Sequence, residues 1–286
     1  MTNAVKAKEV LRKVPVFKTT PPSRKAYVQT RDIVRDSNFT DALPNEFAFE
    51  TAAEQPTWKR ALDIISIFIS LPITLPLLVF IVFWVRIVSR GPALFRQERI
   101  GKNGKPFILY KFRSMKLNSG ISRHETYLRH LVKTDSPMIK LDLLCDSRLI
   151  PGGCLLRSAG LDELPQLLNV LRGEMSLVGP RPCLPQEFAY FSSSQRERFA
   201  ALPGLTGSWQ VSGKNRSTFS EMNVMDIRYV REVCLKLDLL IMMRTPAALL
   251  LQMGQAFQQG RAARQNNQLN ESGHKSETGC NTHRLS

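Results

Sequence analysis

The longest apolar pattern in the chain runs from Ala61 to Val85, with the sequence ALDIISIFISLPITLPLLVFIVFWV. As a straight helix, this run would be roughly 37 Å long at 1.5 Å per residue, whereas the hydrocarbon core of a bilayer is only ~30 Å thick. The pattern therefore predicts a helix that enters a membrane. A helix that simply spans the bilayer is the first interpretation.

Two features favour a helix that enters the membrane and returns to the same face. Pro72 and Pro76 each lack a backbone donor, so they predict a kink in the middle of the run. Basic residues flank both ends, namely Lys59 and Arg60 before the run and Arg86, Arg90, Arg96, Arg99, Lys102 and Lys105 after it. Either orientation of a single span would place a basic flank outside, against the positive-inside rule. We therefore predict a re-entrant helix bent at the two prolines.

Shorter patterns after this segment predict a hairpin and several helices. Asn103-Gly104 is typical of a type I′ turn, with Phe107 to Phe112 as the returning strand. Leu161 to Leu171 has leucines at helical spacing, which predicts an amphipathic helix that ends at Gly173. Met225 to Met253 mixes apolar and basic residues, so it predicts one or two helices. These would lie either on a membrane surface or in the core with solvated charges.

The two ends of the chain are polar and have no lasting apolar periodicity. This composition predicts a disordered N-terminal arm over residues 1–56 and a disordered tail over residues 258–286. Between them we expect the membrane helix at 57–90 and a compact domain at 91–257. The predicted fold is α+β and mainly helical, with a re-entrant membrane helix, a small β-hairpin and interfacial amphipathic helices around the compact domain.

The charge balance indicates a polyanionic partner. Forty Lys and Arg residues against twenty-four Asp and Glu give a formal net charge of +16. Nucleic acid, an anionic membrane surface and phosphorylated substrates all fit this charge. The five cysteines have no CxxC spacing, and the four histidines form no HxxxH pair or Cys/His cluster. A zinc site and a histidine base are therefore not expected, and any chemistry falls to carboxylates.

Asp162 and Glu163 are the candidate carboxylates, adjacent in the first turn of the predicted helix. Acidic residues are common at helix N-termini because of the helix dipole, so the pair alone is compatible with an ordinary helix start. Arg157 precedes the pair, and Arg181 follows it between two prolines. A carboxylate nucleophile, a second carboxylate for Mg²⁺ and arginines for phosphate oxygens are what phosphoryl transfer requires. The spacing alone leaves both interpretations open.

Several longer motifs resemble one known family. The segments GLDELPQLLNVLRGEMSLVGPRP and PGLTGSWQVSGKN are similar to the signature of the bacterial sugar transferase family, the monotopic phosphoglycosyl transferases. FRQERIGKNGKPFILYKFRSM and KRALDI resemble the family's segments after and at membrane entry. The resemblance covers roughly residues 58–253 and is closest to the small members that initiate exopolysaccharide repeat units.

The resemblance implies a role for individual residues. Asp162 matches the nucleophile that attacks the β-phosphorus of a UDP-sugar, and Glu163 matches the partner implicated in binding Mg²⁺. The remaining matches are Arg157 and Arg181 to phosphate-binding positions, Lys59 and Arg60 to a basic pair beside the lipid headgroup, and Pro76 to the helix-breaking proline. Lys111 and Arg113 of KFRSM are weaker phosphate-binding candidates, with solvated strand charges as the alternative.

The resemblance also implies the reaction and its location. The enzyme would transfer a hexose 1-phosphate from a UDP-sugar to undecaprenyl phosphate, releasing UMP, at the cytoplasmic face of the bacterial inner membrane. Gly160, Leu202 and Ser208 depart from the residues usual in the family, which bears on the identity of the donor sugar. The sugar and a homodimeric state are left open.

Two other classes of function are weighed. A glycosyltransferase that releases UDP would be expected to carry a DxD metal motif, and the sequence contains none. A non-enzymatic basic protein at a membrane surface, or one that binds nucleic acid, would cluster its basic residues on one helix or aromatic platform. Here the basic residues are spread along the chain. The sequence therefore favours the enzyme, with no nucleic-acid partner.

Overall fold

The computed structural model describes residues 55–116, 148–213 and 217–279, with side chains as far as residue 258. The predicted disordered arm falls almost wholly outside these residues. The helices and strands in chain order are α1 (Thr57–Val88), β1 (Leu94–Ile100), β2 (Pro106–Phe112), α2 (Gly153–Ser158), α3 (Leu167–Arg172), β3 (Ser176–Val178), α4 (Pro185–Phe188), β4 (Gly204–Thr206), α5 (Ser208–Val211), α6 (Phe219–Glu232) and α7 (Leu235–Gly279). Three 3₁₀ segments lie among the described residues, at Lys102–Gly104, Leu161–Gln166 and Gln195–Ala200. The predicted α+β, mainly helical class is confirmed.

Two small sheets accompany the helices. Strands β1 and β2 pair antiparallel from Leu94 opposite Phe112 to Ile100 opposite Pro106. Strands β3 and β4 pair parallel, with Ser176 opposite Gly204. The hairpin turn is the predicted one. Asn103 and Gly104 both have positive φ, 56° and 72°, as a type I′ turn requires, and the Lys105 amide donates to the Lys102 carbonyl at 3.2 Å.

Helix α1 continues past Pro72 and Pro76 and is buried only toward its two ends. Lys59, Asp63 and Ile67 form one buried patch, and Ile81 and Val85 form the other. The side chains between the patches are exposed or half-buried. The helix is long and apolar enough to cross a membrane. The re-entrant path with its bend at the two prolines stays a prediction.

Strand β2 connects the cores under the two ends of α1. Ile67 packs in a cluster with Leu109 of β2 and Val170 of α3. Val85 packs in a second cluster with Phe112 of β2. Both buried ends of the membrane helix therefore rest on the same part of the fold.

The C-terminal region forms two helices, where the sequence predicted one or two. Helix α6 ends at Glu232, and α7 begins at Leu235. The apolar segment Leu235–Gln258 is a second stretch long enough to cross a membrane, and its interfacial position stays a prediction. Helix α7 continues to Gly279, whereas a disordered tail was expected from residue 258. Adding residues to a formed helix avoids the cost of nucleation, and the Ala, Gln and Arg residues here favour helix.

Candidate active site

Asp162 and Glu163 lie on the 3₁₀ turn that enters α3. The sequence predicted one helix from Leu161 to Leu171, but Pro165 has no backbone donor and the first half is 3₁₀. Helix α3 ends at Gly173, as predicted. Asp162 is buried, with 7 % of its surface exposed. Glu163 is half-buried, and its Oε1 accepts a hydrogen bond from Lys111 Nζ at 2.9 Å.

Strand β2 therefore brings Lys111 to the acidic pair, where it forms an ion pair with Glu163, whereas Arg113 of the following residues bonds elsewhere. Arg113 is buried and donates from Nη2 to the carbonyl of Ser89, just beyond the end of α1, at 2.9 Å. Its Nε and Nη1 are buried without a hydrogen-bond acceptor in the described structure. Of the two weaker phosphate-binding candidates, Lys111 has the position closer to the predicted chemistry.

Arg181 lies in a loop whose backbone is fixed at every residue. We define the Arg181 loop as residues 179–183. Its hydrogen bonds are Gly179 N to Thr206 O (2.9 Å), Gly204 N to Pro180 O (2.8 Å), Arg198 Nη2 to Arg181 O (2.9 Å), Arg99 Nη1 to Pro182 O (3.2 Å) and Ile100 N to Cys183 O (2.9 Å). The loop is therefore preorganised by contacts from β1, β4 and two buried arginines.

The start of the loop passes very close to the chain before β4. A Cβ atom placed on Gly179 would lie 2.3 Å from the carbonyl oxygen of Leu202. A Cβ atom placed on Gly204 would lie 2.1 Å from the backbone nitrogen of Gly179. Only glycines allow this approach, which explains the glycine of GPRP and the first glycine of PGLTG.

The Arg181 side chain interacts with a buried carboxylate. Its Nη1 lies 3.4 Å from both oxygens of Glu187, whose Oε2 also accepts from the Leu184 backbone amide at 2.7 Å. Burial acts to lower the pKa of Arg181, but the negative charges around it, above all that of Glu187 and also that of Glu163, outweigh burial and raise the pKa. The guanidinium therefore stays charged, as a phosphate-binding arginine must.

Arg99 is a second arginine at this site, and unlike the half-buried Arg181 it is buried. The sequence analysis gave it no role in the site. Its pKa is lowered to about 10 by burial and by the neighbouring positive charge of Arg181, while Glu187 and Glu163 act in the opposite direction. Arg99 and Arg181 thus lie within each other's field and that of Glu163. In the sequence, Arg99 stood out only as one of the basic residues that follow the apolar run.

A buried ion pair supports the same loop from the other side. Arg198 Nη2 contacts Asp226 at 2.5 Å, and Arg198 Nη1 donates to Asn223 at 2.8 Å. Burial raises the pKa of Asp226 to about 6 although Arg198 acts to lower it. The guanidinium of Arg198 also stacks on Phe191 at 4.9 Å. Sequence reasoning missed this pair because its partners lie 28 residues apart.

Arg157 lies at the end of α2, just before the turn that carries the acidic pair. Its backbone carbonyl accepts from Gln252 Nε2 of α7 at 3.3 Å, and so does that of Ser158 at 3.1 Å. The long C-terminal helix therefore fixes the backbone that leads into Asp162. The phosphate-binding role of Arg157 stays a prediction.

Lys59 and Arg60 are both engaged by acceptors within the protein. Lys59 is buried, and its Nζ contacts Val178 O, Tyr229 Oη and Asp238 Oδ2. Arg60 donates from Nη1 and Nη2 to the carbonyls of Val170 and Leu171 at the end of α3. The predicted contact of both with a lipid headgroup stays a prediction, and the structure shows a different set of partners.

Comparison with known proteins adds the family context. Residues 54–252 match the model of the family described as bacterial sugar transferase. The chain is 38% identical over 197 residues to the galactosyl transferase CpsE of Streptococcus agalactiae, a match that covers 68% of this chain and 43% of the relative. It is 35% identical over 208 residues to the exopolysaccharide production protein ExoY of Sinorhizobium fredii, covering 72% of this chain and 92% of the relative.

A third relative is named for a lipid acceptor. The undecaprenyl-phosphate galactose phosphotransferase of Salmonella typhimurium is 36% identical over 203 residues, covering 68% of this chain and 41% of the relative. The chain thus spans less than half the length of two of these three relatives and most of the length of the ExoY protein.

Proposed function

Because this chain belongs to the bacterial sugar transferase family, we propose that it transfers a sugar 1-phosphate from a UDP-sugar to undecaprenyl phosphate. The donor sugar is a hexose, and the product begins an exopolysaccharide repeat unit. The names of the Salmonella and Sinorhizobium relatives support the lipid acceptor and a role in exopolysaccharide production. The name of a Caulobacter vibrioides relative, a UDP-glucose:undecaprenyl-phosphate glucose-1-phosphate transferase, supports the donor class.

The observation that carries this proposal is a buried carboxylate beside a carboxylate–lysine pair and a fixed arginine loop. In the first step, an Oδ atom of Asp162 attacks the β-phosphorus of the UDP-sugar. A bond forms between that oxygen and the phosphorus, and the bond from phosphorus to the bridging oxygen breaks. UMP leaves with the bridging oxygen and its electron pair, and the sugar phosphate remains on Asp162.

In the second step, an oxygen of undecaprenyl phosphate attacks the same phosphorus. The bond to Asp162 breaks, the carboxylate is regenerated, and polyprenyl-diphosphate-sugar is released. Arg181 binds phosphate oxygens through its planar fork, and the fixed loop holds it in place before the substrate arrives. Lys111 orients Glu163 and adds positive charge close to the reacting phosphates.

Mg²⁺ fits the donor set of this site. Glu163, with Asp162 beside it, offers carboxylate oxygens, and Mg²⁺ is commonly held by one or two carboxylates together with substrate phosphates. When bound, the ion offsets charge on the pyrophosphate and improves UMP as a leaving group.

We propose that α1 is a re-entrant helix at the cytoplasmic face of the inner membrane, and the packing of α1 supports its bend. Ile67 and Val85 would be about 27 Å apart along a straight helix. The β2 residues in their two clusters, Leu109 and Phe112, are only about 10 Å apart along the strand. A bend at Pro72 and Pro76 brings the two buried patches together and leaves the exposed apolar middle in the lipid. The active site then lies where a soluble donor and a lipid acceptor both reach it.

The identity of the released nucleotide tests the reaction type. The protein in detergent is incubated with Mg²⁺, undecaprenyl phosphate and a panel of UDP-sugars. We expect UMP, and the best donor identifies the sugar. Release of UDP would instead support the alternative, a membrane-tethered glycosyltransferase, and would remove the role given to Asp162.

A further inference from the structure

The strand that leads into the Arg181 loop ends in a carbonyl with two buried donors. Val178 is the last residue of β3. Its oxygen accepts from Lys59 Nζ at 2.9 Å and lies 3.1 Å from the hydroxyl of Tyr229, whose single proton it shares with Oδ1 of Asp238. Lys59 belongs to the first turn of the membrane helix α1, and Tyr229 belongs to α6. Two distant elements therefore meet at the base of the loop.

Asp238 of α7 completes this buried group. Its Oδ2 pairs with Lys59 Nζ at 2.5 Å, and its Oδ1 accepts from the Tyr229 hydroxyl at 2.7 Å. Burial, together with the charge and hydrogen bond of Asp238, raises the pKa of Tyr229 well above its usual range, so the hydroxyl remains a donor. We call Lys59, Tyr229 and Asp238 the anchor triad.

The next turn of α1 holds the rest of the same strand. Asp63, four residues after Lys59, is almost fully buried, and its Oδ1 accepts from the Ser176 hydroxyl at 3.0 Å and from the Leu177 amide at 2.9 Å. Two consecutive turns of the membrane helix therefore bind all three residues of β3. The strand cannot shift without breaking contacts to α1.

The position of Lys59 limits what its ammonium group can bind. An ammonium has three N–H donors, and Lys59 Nζ has three acceptors within the protein, from Val178, Tyr229 and Asp238. Its side chain is 4 % exposed and that of Asp238 is 1 % exposed. No donor is left for a lipid phosphate, and the group is enclosed by β3, α6 and α7.

We propose that the anchor triad is a positioning device that couples the seating of the membrane helix to the Arg181 loop. Lys59 acts through the Val178 carbonyl on the loop that begins at the next residue, and it does not bind the acceptor headgroup. The inference rests on the proposed function, because the role of the loop is to hold Arg181 at the phosphates. It assigns to Lys59 and Asp238 an effect on turnover rather than on lipid affinity.

The test compares kinetic constants of the full chain reconstituted in lipid nanodiscs. The variants are Lys59→Met, Asp238→Asn and the apolar pair Lys59→Met/Asp238→Leu, with Lys236→Met as the matched control on the exposed side of α7. Apolar replacement of a buried ion pair usually preserves folding where a single change leaves a buried charge unpaired. The apolar pair therefore keeps the test valid if a single variant fails to fold.

We expect kcat to fall roughly 10- to 100-fold in each anchor-triad variant, because small displacements of a positioning group have effects of that size. KM for undecaprenyl phosphate stays unchanged, and the apolar pair is no slower than Lys59→Met, since the two residues act as a unit. Lys236→Met behaves as the wild type. The inference would be overturned if Lys59→Met raised KM for undecaprenyl phosphate at unchanged kcat while Asp238→Asn kept wild-type activity. That result would support binding of the lipid headgroup by Lys59.

A second readout separates this inference from the reaction itself. Amide hydrogen exchange of a peptide spanning residues 178–184 is compared between the wild type and the apolar pair. Faster exchange in this peptide, with unchanged exchange in β1 and β2, supports the anchor role even if UMP release fails to occur. Unchanged exchange in the peptide would overturn the inference whatever the activity of the protein.

Discussion

At the scale of single residues, the two adjacent acids differ in their surroundings. Asp162 is buried, whereas Glu163 is half-buried and paired with Lys111 of β2. Different environments are how neighbouring carboxylates acquire different roles in one site. In the proposed mechanism, the shielded carboxylate of Asp162 would attack the phosphorus and the more exposed carboxylate of Glu163 would bind the cation. The two acids could be identified from the sequence, but their different burial could not, because burial depends on strands and helices distant along the chain.

Removal of Lys111 distinguishes a site residue from a solvated strand charge. We expect Lys111→Met to lower kcat/KM by roughly tenfold or more, as loss of a preorganised charge at a phosphoryl site does. The melting temperature should change little, since a partly exposed ion pair contributes ~1 kcal/mol or less. Steady-state UMP release is the measurement, with Lys105→Met as the exposed control on the hairpin. An unchanged kcat/KM would show that Lys111 is only a solvated charge on the strand.

Asp226 predicts a pH dependence of stability. Its pKa in the folded protein is raised from 3.8 to about 6, mainly by burial. Between these values the folded state keeps the proton and the unfolded chain releases it, so this group's contribution to stability is lost as pH rises from about 4 to about 6. Relative to Asp226→Asn, the wild type should lose melting temperature across this window. A difference in melting temperature that does not vary with pH would contradict the assignment.

At the scale of elements, features set by local sequence patterns could be predicted, whereas features set by long-range contacts could not. The Asn103-Gly104 turn and the end of α3 at Gly173 follow from residues within a few positions of each other, and both are confirmed. The 3₁₀ segment before α3 was not predicted. The leucine spacing indicated one continuous helix, and the effect of Pro165 was not taken into account. The hydrogen bonds that hold the Arg181 loop could not be predicted, because the partners of the loop lie in β1, in β4 and at Arg198, all distant along the chain.

The Arg181 loop predicts a strong effect of one methyl group. In Gly179→Ala the new Cβ would lie 2.3 Å from the Leu202 carbonyl oxygen, so the backbone must shift. We expect a loss of roughly 1–3 kcal/mol in stability, as overpacking usually costs, together with a large loss of activity. Gly254→Ala in α7 is the control, since its Cβ would meet nothing within 4 Å. Thermal unfolding and UMP release measure both effects, and a fully active Gly179→Ala would contradict the fixed-loop account.

At the scale of the whole described molecule, α1 is the element to which the site is attached. Its first turns bind β3 through Lys59 and Asp63, and its last turns pack beside Phe112 near the acidic pair. The sequence identified the basic residues at membrane entry and the prolines from their chemistry. It could not show that Lys59 points into the protein, since its partners lie 119 to 179 residues away.

The re-entrant path predicts that both ends of α1 face the cytoplasm. Single cysteines are introduced as Thr57→Cys and Arg90→Cys in a background without other cysteines and probed in intact spheroplasts with a membrane-impermeant thiol reagent. We expect neither site to be labelled from outside and both to be labelled after lysis. A helix that spans the membrane would place one of the two cysteines outside, and that cysteine would be labelled in intact spheroplasts.

The covalent role of Asp162 is the central claim, and mass spectrometry of the stopped reaction tests it most directly. The protein is mixed with Mg²⁺ and its UDP-sugar without lipid acceptor, quenched, digested and analysed for a phosphosugar on the peptide that contains Asp162. We expect the adduct on Asp162, UMP in an amount equal to the enzyme, and loss of the adduct when undecaprenyl phosphate is added. Asp162→Asn should give no adduct, with Glu232→Gln as an exposed control that does. Turnover with UMP release but no adduct, or an Asp162→Asn variant with full turnover, would contradict the account.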